Sequence, residues 1–135
     1  MQPTNRELEL LKVLWAGGEA TVHQVCEALA TSGVDLAYTT VLTLLQNMEQ
    51  KQLVAHRRAG KAYVYRAVVE REKTLRGFAA GFLSRVFDGS LEEYMLHVLD
   101  SQRPSDEELE RLSQLVNAKK RQLRDRRKRG GKQQP

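Results

Sequence analysis

The amino-acid sequence predicts a mainly α protein with a small two-stranded antiparallel wing, a winged helix-turn-helix followed by a C-terminal helical dimerisation region. Three observations predict it. The stretch from Ala37 to Gln50 has apolar residues at helical spacing on one side and threonines on the other. Two short runs rich in β-branched and aromatic residues follow, on either side of a glycine turn. Helical periodicity then resumes at Glu70 and continues through three segments.

The first helix opens at Thr4, which with Glu7 has the pattern of a capping box: the threonine oxygen accepts from an early amide and the glutamate returns to the cap amide. Leu8, Leu11, Leu14 and Trp15 lie along its apolar side. Gly17-Gly18 ends it, because glycine turns left-handed without a Cβ clash. Trp15 reads as a packing anchor for that end. Thr21 and Gln24 make a second capping box, and Val22, Val25, Cys26 and Leu29 form the next stripe. A short glycine-bearing link, Thr31 to Asp35, leads to the third helix, with Asp35 as its expected cap. This is the order of a helix-turn-helix.

On the third helix Val41, Leu44, Leu45 and Met48 fall at i, i+3, i+4 and i+7. The other side carries Thr39, Thr40, Thr43 and Asn47, with Tyr38 at the start. Short uncharged hydroxyl and amide groups approach base edges and phosphates closely. They crowd toward the N-terminal half, the part that a recognition helix presents to the major groove. Taken alone, the stretch also reads as an ordinary surface helix; the segments after it favour DNA. The runs Leu53–Arg58 and Ala62–Ala67 make a hairpin around Gly60. Lys51 to Arg66 holds five Lys/Arg and no acid. Arg57, Arg58 and Lys61 near the tip are positioned to hold phosphates. Tyr65 belongs to the packing of the wing.

From Glu70 a broad apolar face runs through Leu75, Phe78, Phe82, Val86 and Phe87. Ser90 and Ser105 cap two further helices. Roughly fifty residues bury too little surface to stand alone, so this face is expected to meet a second copy across a two-fold axis, with packing onto the N-terminal part of the same chain as the alternative. Leu75, Phe78, Phe82, Val86 and Phe87 are the expected dimer contacts. The division is then residues 1–69 for DNA binding, 70–118 for dimerisation and 119–135 as a basic, disordered tail.

The net charge of +5 is uneven: nine Lys/Arg against one acid between Lys119 and Lys132 give +8, leaving −3 elsewhere. The pI therefore describes a tail more than a domain. A single cysteine, Cys26, excludes an internal disulfide and a cysteine-cluster metal site. The three histidines are scattered, no glycine-rich phosphate loop has its strand and helix context, and no nucleophile motif appears. No enzyme, metal or cofactor is expected. Met1-Gln2-Pro3-Thr4 has no leader character and no run approaches the ~20 apolar residues of a membrane span, so a cytoplasmic protein without membrane insertion is expected.

The strings Thr21-Val-His-Gln-Val25, Ala37-Tyr-Thr-Thr-Val41 with Thr43, Gly60-Lys-Ala-Tyr-Val-Tyr65 and Phe87-Asp-Gly-Ser90 occur in this order. Together they resemble the penicillinase-repressor (BlaI/MecI/CopY-type) transcriptional regulators over about residues 4 to 118. The resemblance implies a sequence-specific repressor acting as a homodimer on a dyad-symmetric double-stranded DNA operator. In the best-known members a partner membrane sensor protease triggers cleavage and release. Where that family commonly has an arginine late in the recognition helix, this chain has Asn47. Where a Lys-Gly pair usually ends the helix, it has Lys51-Gln52. The Asn-Phe bond cut in the β-lactam repressors corresponds to His97-Val98, and the C-terminal cysteines of copper-responsive relatives have no counterpart. Two other functions fit a winged helix: a protein-protein adaptor, whose contacts would depend less on salt than DNA binding, and a small-ligand-sensing regulator, which would need an apolar pocket.

Overall fold

A computed structural model describes residues 2–133. The chain divides into two compact units, Met1–Gly89 and Ser90–Pro135. The third helix of the expected dimerisation region, counted backward from the C-terminus, therefore falls in the first unit, and the expected boundary after residue 69 is not where the units part.

In the first unit α1 (Asn5–Gly17) carries the full capping box at Thr4 and Glu7. Leu10, Leu11 and Leu14 face the core, whereas Leu8 and Trp15 are half-buried. Gly18, at φ 84°, ends the helix with its amide on the Leu14 carbonyl. β1 (Ala20–Thr21) leads directly into α2 (Val22–Thr31), whose box at Thr21 and Gln24 is complete. Val22, Val25 and Leu29 are buried, and Cys26 lies at the edge of the same cluster.

α3 (Tyr38–Gln50) begins later than the sequence suggests. Its cap is Ala37, which makes no side-chain cap bond. Asp35 lies two residues too early to reach the first-turn amides, because Leu36 is drawn against the core instead. Val41, Leu45 and Met48 are fully buried. The helix ends in a paired closure: the Leu53 amide donates to the Met48 carbonyl at 2.9 Å and the Gln52 amide to the Glu49 carbonyl at 3.0 Å. This geometry needs a left-handed residue, which is usually glycine; here Gln52 takes it, at φ 64°.

The wing is β2 (Val54–Ala59) and β3 (Ala62–Ala67), joined through Gly60 and Lys61, with Ala59 opposite Ala62. β1 adds a third antiparallel strand, in the order β1-β3-β2, with Ala20 opposite Tyr65. Two residues are too few for an alternation to be legible, so the sequence suggests only the hairpin. Leu53, Val54 and Tyr65 complete the core. The Trp15 indole Nε1 donates to the Val69 carbonyl at 3.0 Å, fastening the end of α1 to the segment before α4 (Arg71–Phe87). No residue of α4 is buried.

The second unit holds α5 (Leu91–Gln102) and α6 (Asp106–Gln133). The Ser90 and Ser105 hydroxyls each accept a bond from the amide three residues on, at 3.1 Å. Arg103, at φ 48°, turns the chain between the helices. α6 continues to Gln133, so residues 119–133 of the segment expected to be a disordered tail are helical, and Gln134 and Pro135 lie outside the described residues. Its lysines, arginines, glutamines and Leu123 are good helix formers, and no proline interrupts them before Pro135. Leu91, Met95, Leu112, Leu115 and Val116 line an apolar groove between α5 and α6.

Candidate nucleic-acid interface

The exposed side of α3 presents Tyr38, Thr39, Thr40, Thr43 and Asn47, as expected from the helical period. The buried stripe fixes the rotation: with Val41, Leu45 and Met48 inside, these residues must face out. The Thr43 hydroxyl donates to the Thr39 carbonyl at 2.9 Å, so its oxygen remains an acceptor. The Thr39 and Thr40 hydroxyls have no partner among the described residues, and Tyr38 is 52% exposed.

Beside this face lies an open cleft of about 980 Å³, bounded by α3, the start of α2 and the wing. Tyr38 and Asn47 enter it from α3, and Lys61 and Tyr63 from the wing. His56 on β2 meets Glu49 in the last turn of α3, with Nδ1 2.6 Å from Oε1. The imidazole also lies edge-on to Tyr63, centroids 5.1 Å apart, and tilted against Tyr65 at 5.4 Å. The Glu49 contact holds the wing against α3. Tyr65 is 3% exposed, and burial first, then the nearby Glu49 charge, pushes its phenol up from the usual value. It is a packing residue, as its place in the strand suggested.

The hairpin register divides the three basic residues of the wing. Directly opposed residues share a face of a sheet and neighbours alternate. His56 opposes Tyr65 and Arg58 opposes Tyr63, so Arg58 stands on the face turned to α3, its guanidinium 5.7 Å from the Tyr63 ring centre. Arg57 opposes Val64 on the other face. There Glu19, just before β1, takes it in a two-point bond: Nη2 to Oε1 at 2.6 Å and Nε to Oε2 at 3.2 Å. The Arg57 bond holds the Glu19 carboxyl below its ordinary value, and Glu19 in turn raises the Arg57 guanidinium. Arg57 thus serves the β1 edge, while Lys61 lines the cleft and Arg58 is exposed next to Tyr63.

A further pair sets the position of α3. Glu7 is 3% exposed, yet besides its capping bond to the Thr4 amide at 2.9 Å it accepts Lys51 Nζ at 2.8 and 3.0 Å. Burial raises its pKa, but the Lys51 and Thr4 bonds outweigh burial and the net shift is downward. The pair ties the start of α1 to the end of α3. Sequence reasoning missed Glu49, His56, Tyr63 and this Glu7–Lys51 link. His56 and Tyr63 could be placed on one face by fixing a two-residue turn at Gly60-Lys61 and reading off strand parity; Glu49, on α3, has no such signal. Burial pushes the Cys26 thiol up from its ordinary value. Among the described residues no group of His, Cys, Asp or Glu could hold a metal ion.

Comparison with known proteins agrees with this fold. MepR, a transcription regulator of a Staphylococcus aureus multidrug efflux pump, superposes with a TM-score of 0.50 at 23% identity, over 89% of this chain and 79% of its own. The Bacillus subtilis YusO protein gives 0.51 at 21% identity, over 74% and 72%. These establish a shared fold. In sequence, the chain is 36% identical to the transcriptional regulator BlaI of Mycobacterium tuberculosis over 96 residues, 70% of this chain and 69% of that one. It is 25% identical to the penicillinase repressor of Bacillus licheniformis over 119 residues, 88% of this chain and 92% of that one. Residues 3–118 match the family model for the penicillinase repressor, and the chain belongs to that family.

Proposed function

We propose that this repressor acts as a homodimer on a dyad-symmetric operator, each subunit reading one half-site with α3 and gripping the flanking phosphates with its wing. The protein is a DNA-binding transcriptional repressor of its family; the dimer, the operator symmetry and the residue roles are our reading. One observation carries it: an exposed hydroxyl face on α3 beside a wing whose Arg58 shares a face of the sheet with His56 by register and whose Lys61 lines the same cleft as His56. Tyr38, Thr39, Thr40, Thr43 and Asn47 are the reading and positioning groups. Arg58 and Lys61 hold phosphates, and Arg57 supports the sheet behind them.

The dimer is argued from exposed apolar surface. α4 and α5 contain no buried residue, and Phe82, Val86, Leu91 and Leu96 are 43 to 61% exposed. Helices with such faces need a partner surface, and a second copy also supplies the second half-site contact. Release by an inducing signal, such as cleavage by a membrane sensor protease, would act on this region. No helix among the described residues is long and apolar enough to cross a membrane, which fits a cytoplasmic partner for such a sensor.

Selection of bound sequences from a random duplex pool tests the reading. Wild type should enrich a two-fold symmetric site with half-sites one helical turn apart. Thr40→Ala should weaken binding to that site while leaving affinity for random DNA nearly intact; an equal loss on both would remove Thr40 from base reading.

A further inference from the structure

We infer that the last part of α6, from Lys119 to Arg129, is a second DNA-binding element, whose ligand is the phosphodiester backbone of duplex DNA rather than any base sequence. The family match ends at residue 118, but the helix does not. It continues to Gln133, and between Lys119 and Arg129 it carries eight Lys/Arg and one acid, Asp125. All of these side chains are exposed.

Among the described residues, their charge is not taken up by any carboxylate. Lys51 and Arg57 are each taken by a carboxylate. Among the described residues no ion pair involves a cation of this stretch, and Lys119 bonds only the neutral Gln122, at 3.3 Å. Like charges three and four apart, such as Lys120 with Arg124 and Arg124 with Arg127, repel on a helix. A polyanion relieves that repulsion. The stretch spans roughly 15 Å at 1.5 Å per residue, over which a duplex presents about one negative charge per 1.7 Å of axis.

The arrangement of the charges selects the partner. At 100° per residue, Lys119, Lys120, Arg121 and Arg124 already reach around much of the helix. Leu123 is the one apolar side chain between Lys119 and Arg129. A helix that lies in a membrane surface buries a continuous apolar face, and this one has none. A helix that reads bases presents a polar face chosen for donor and acceptor pattern, and this one offers charge on several sides. What remains is sequence-independent attraction to phosphates. It also explains the charge balance: without this segment the chain would carry a net negative charge, a poor starting point for approaching DNA.

The inference rests on the reading that the winged unit binds DNA, and the test separates the two. Full-length protein is compared with a variant in which Lys120, Arg124, Arg127 and Lys128 are changed to Gln, a residue that keeps helix propensity. A control carries Arg71, Lys73, Arg76 and Arg85 changed to Gln on α4. Operator and random duplexes are titrated over a range of salt, with helix content checked by circular dichroism. The slope of log K against log salt should become shallower by about 2 to 4 in the α6 variant, at about 0.9 per lost phosphate contact. The loss should be alike on both duplexes, with the operator preference kept, and the control should change by less. An unchanged slope with operator binding intact overturns the inference alone, as does an equal change in the control. Absence of salt-dependent binding by wild type brings down the DNA reading with it. Binding to phosphatidylserine vesicles that disappears in the α6 variant, with DNA slopes unmoved, assigns the segment to a lipid surface and overturns it as well.

Discussion

Glu7 has two duties that differ in how far they can be read from sequence. Its capping role is spelled locally, because Thr4 and Glu7 are three residues apart; its bond to Lys51 closes across 44 positions and has no local signature. Lys51→Ala leaves a carboxylate that is 3% exposed with the Thr4 amide as its remaining partner, and should cost roughly 2 to 3 kcal/mol in chemical denaturation. The pH dependence follows from the sign of the shift. Because the folded-state pKa of Glu7 is lowered, its contribution is complete above the ordinary carboxylate value and fades as pH falls through the folded one. The stability gap between wild type and Glu7→Gln, measured by urea titration, should therefore be widest near neutrality and close in acid. Gln52 shows the opposite limit. The sequence marks only the missing glycine, yet the chain still turns left-handed there, because the Leu53–Met48 and Gln52–Glu49 bonds and the burial of Leu53 leave no other path. Gln52→Gly should relieve that conformation and raise stability by about 0.5 to 1 kcal/mol; a loss of stability would mean that the glutamine side chain makes a compensating contribution.

Among the elements, the helices were legible because each carries a period and four of them a cap within a few residues, at Thr4, Thr21, Ser90 and Ser105. The hairpin was legible from Gly60 between two β-rich runs. β1 was not, being two residues long and defined by its pairing with β3. The start of α3 was misjudged because Asp35 is a good capping residue in the wrong place, and packing of Leu36 decided the matter. The wing gives the sharpest prediction at this scale. Adjacent arginines point to opposite faces, so Arg58→Ala should make the salt dependence of operator binding shallower by about 1. Arg57→Ala should leave that slope nearly unchanged and instead speed hydrogen exchange at the β1–β3 edge, where the Glu19 link is lost. Equal effects on the slope would refute the division of the two faces.

For the whole molecule, the apolar surface left on α4 and α5 sets the expectation. Phe82, in edge-to-face contact with Phe87 at 6.0 Å, is still 43% exposed. Phe82→Asp should yield monomers in sedimentation at micromolar concentration, since a charge at an apolar contact is costly to bury; an intact dimer would move the interface to other residues. Three helices after the wing were readable from their stripes, but their assignment to units was not, because a stripe says that a helix is covered and not by what. The lone tryptophan offers a way to watch these events separately. Trp15 bonds the Val69 carbonyl at the point where the wing hands over to α4, so its fluorescence is a built-in optical gauge of that junction. Loosening of the strand exit should shift its emission to the red. Proteolytic removal of the chain beyond Gly89 should leave the spectrum where it was, letting one cuvette distinguish a clipped repressor from an unfolded one.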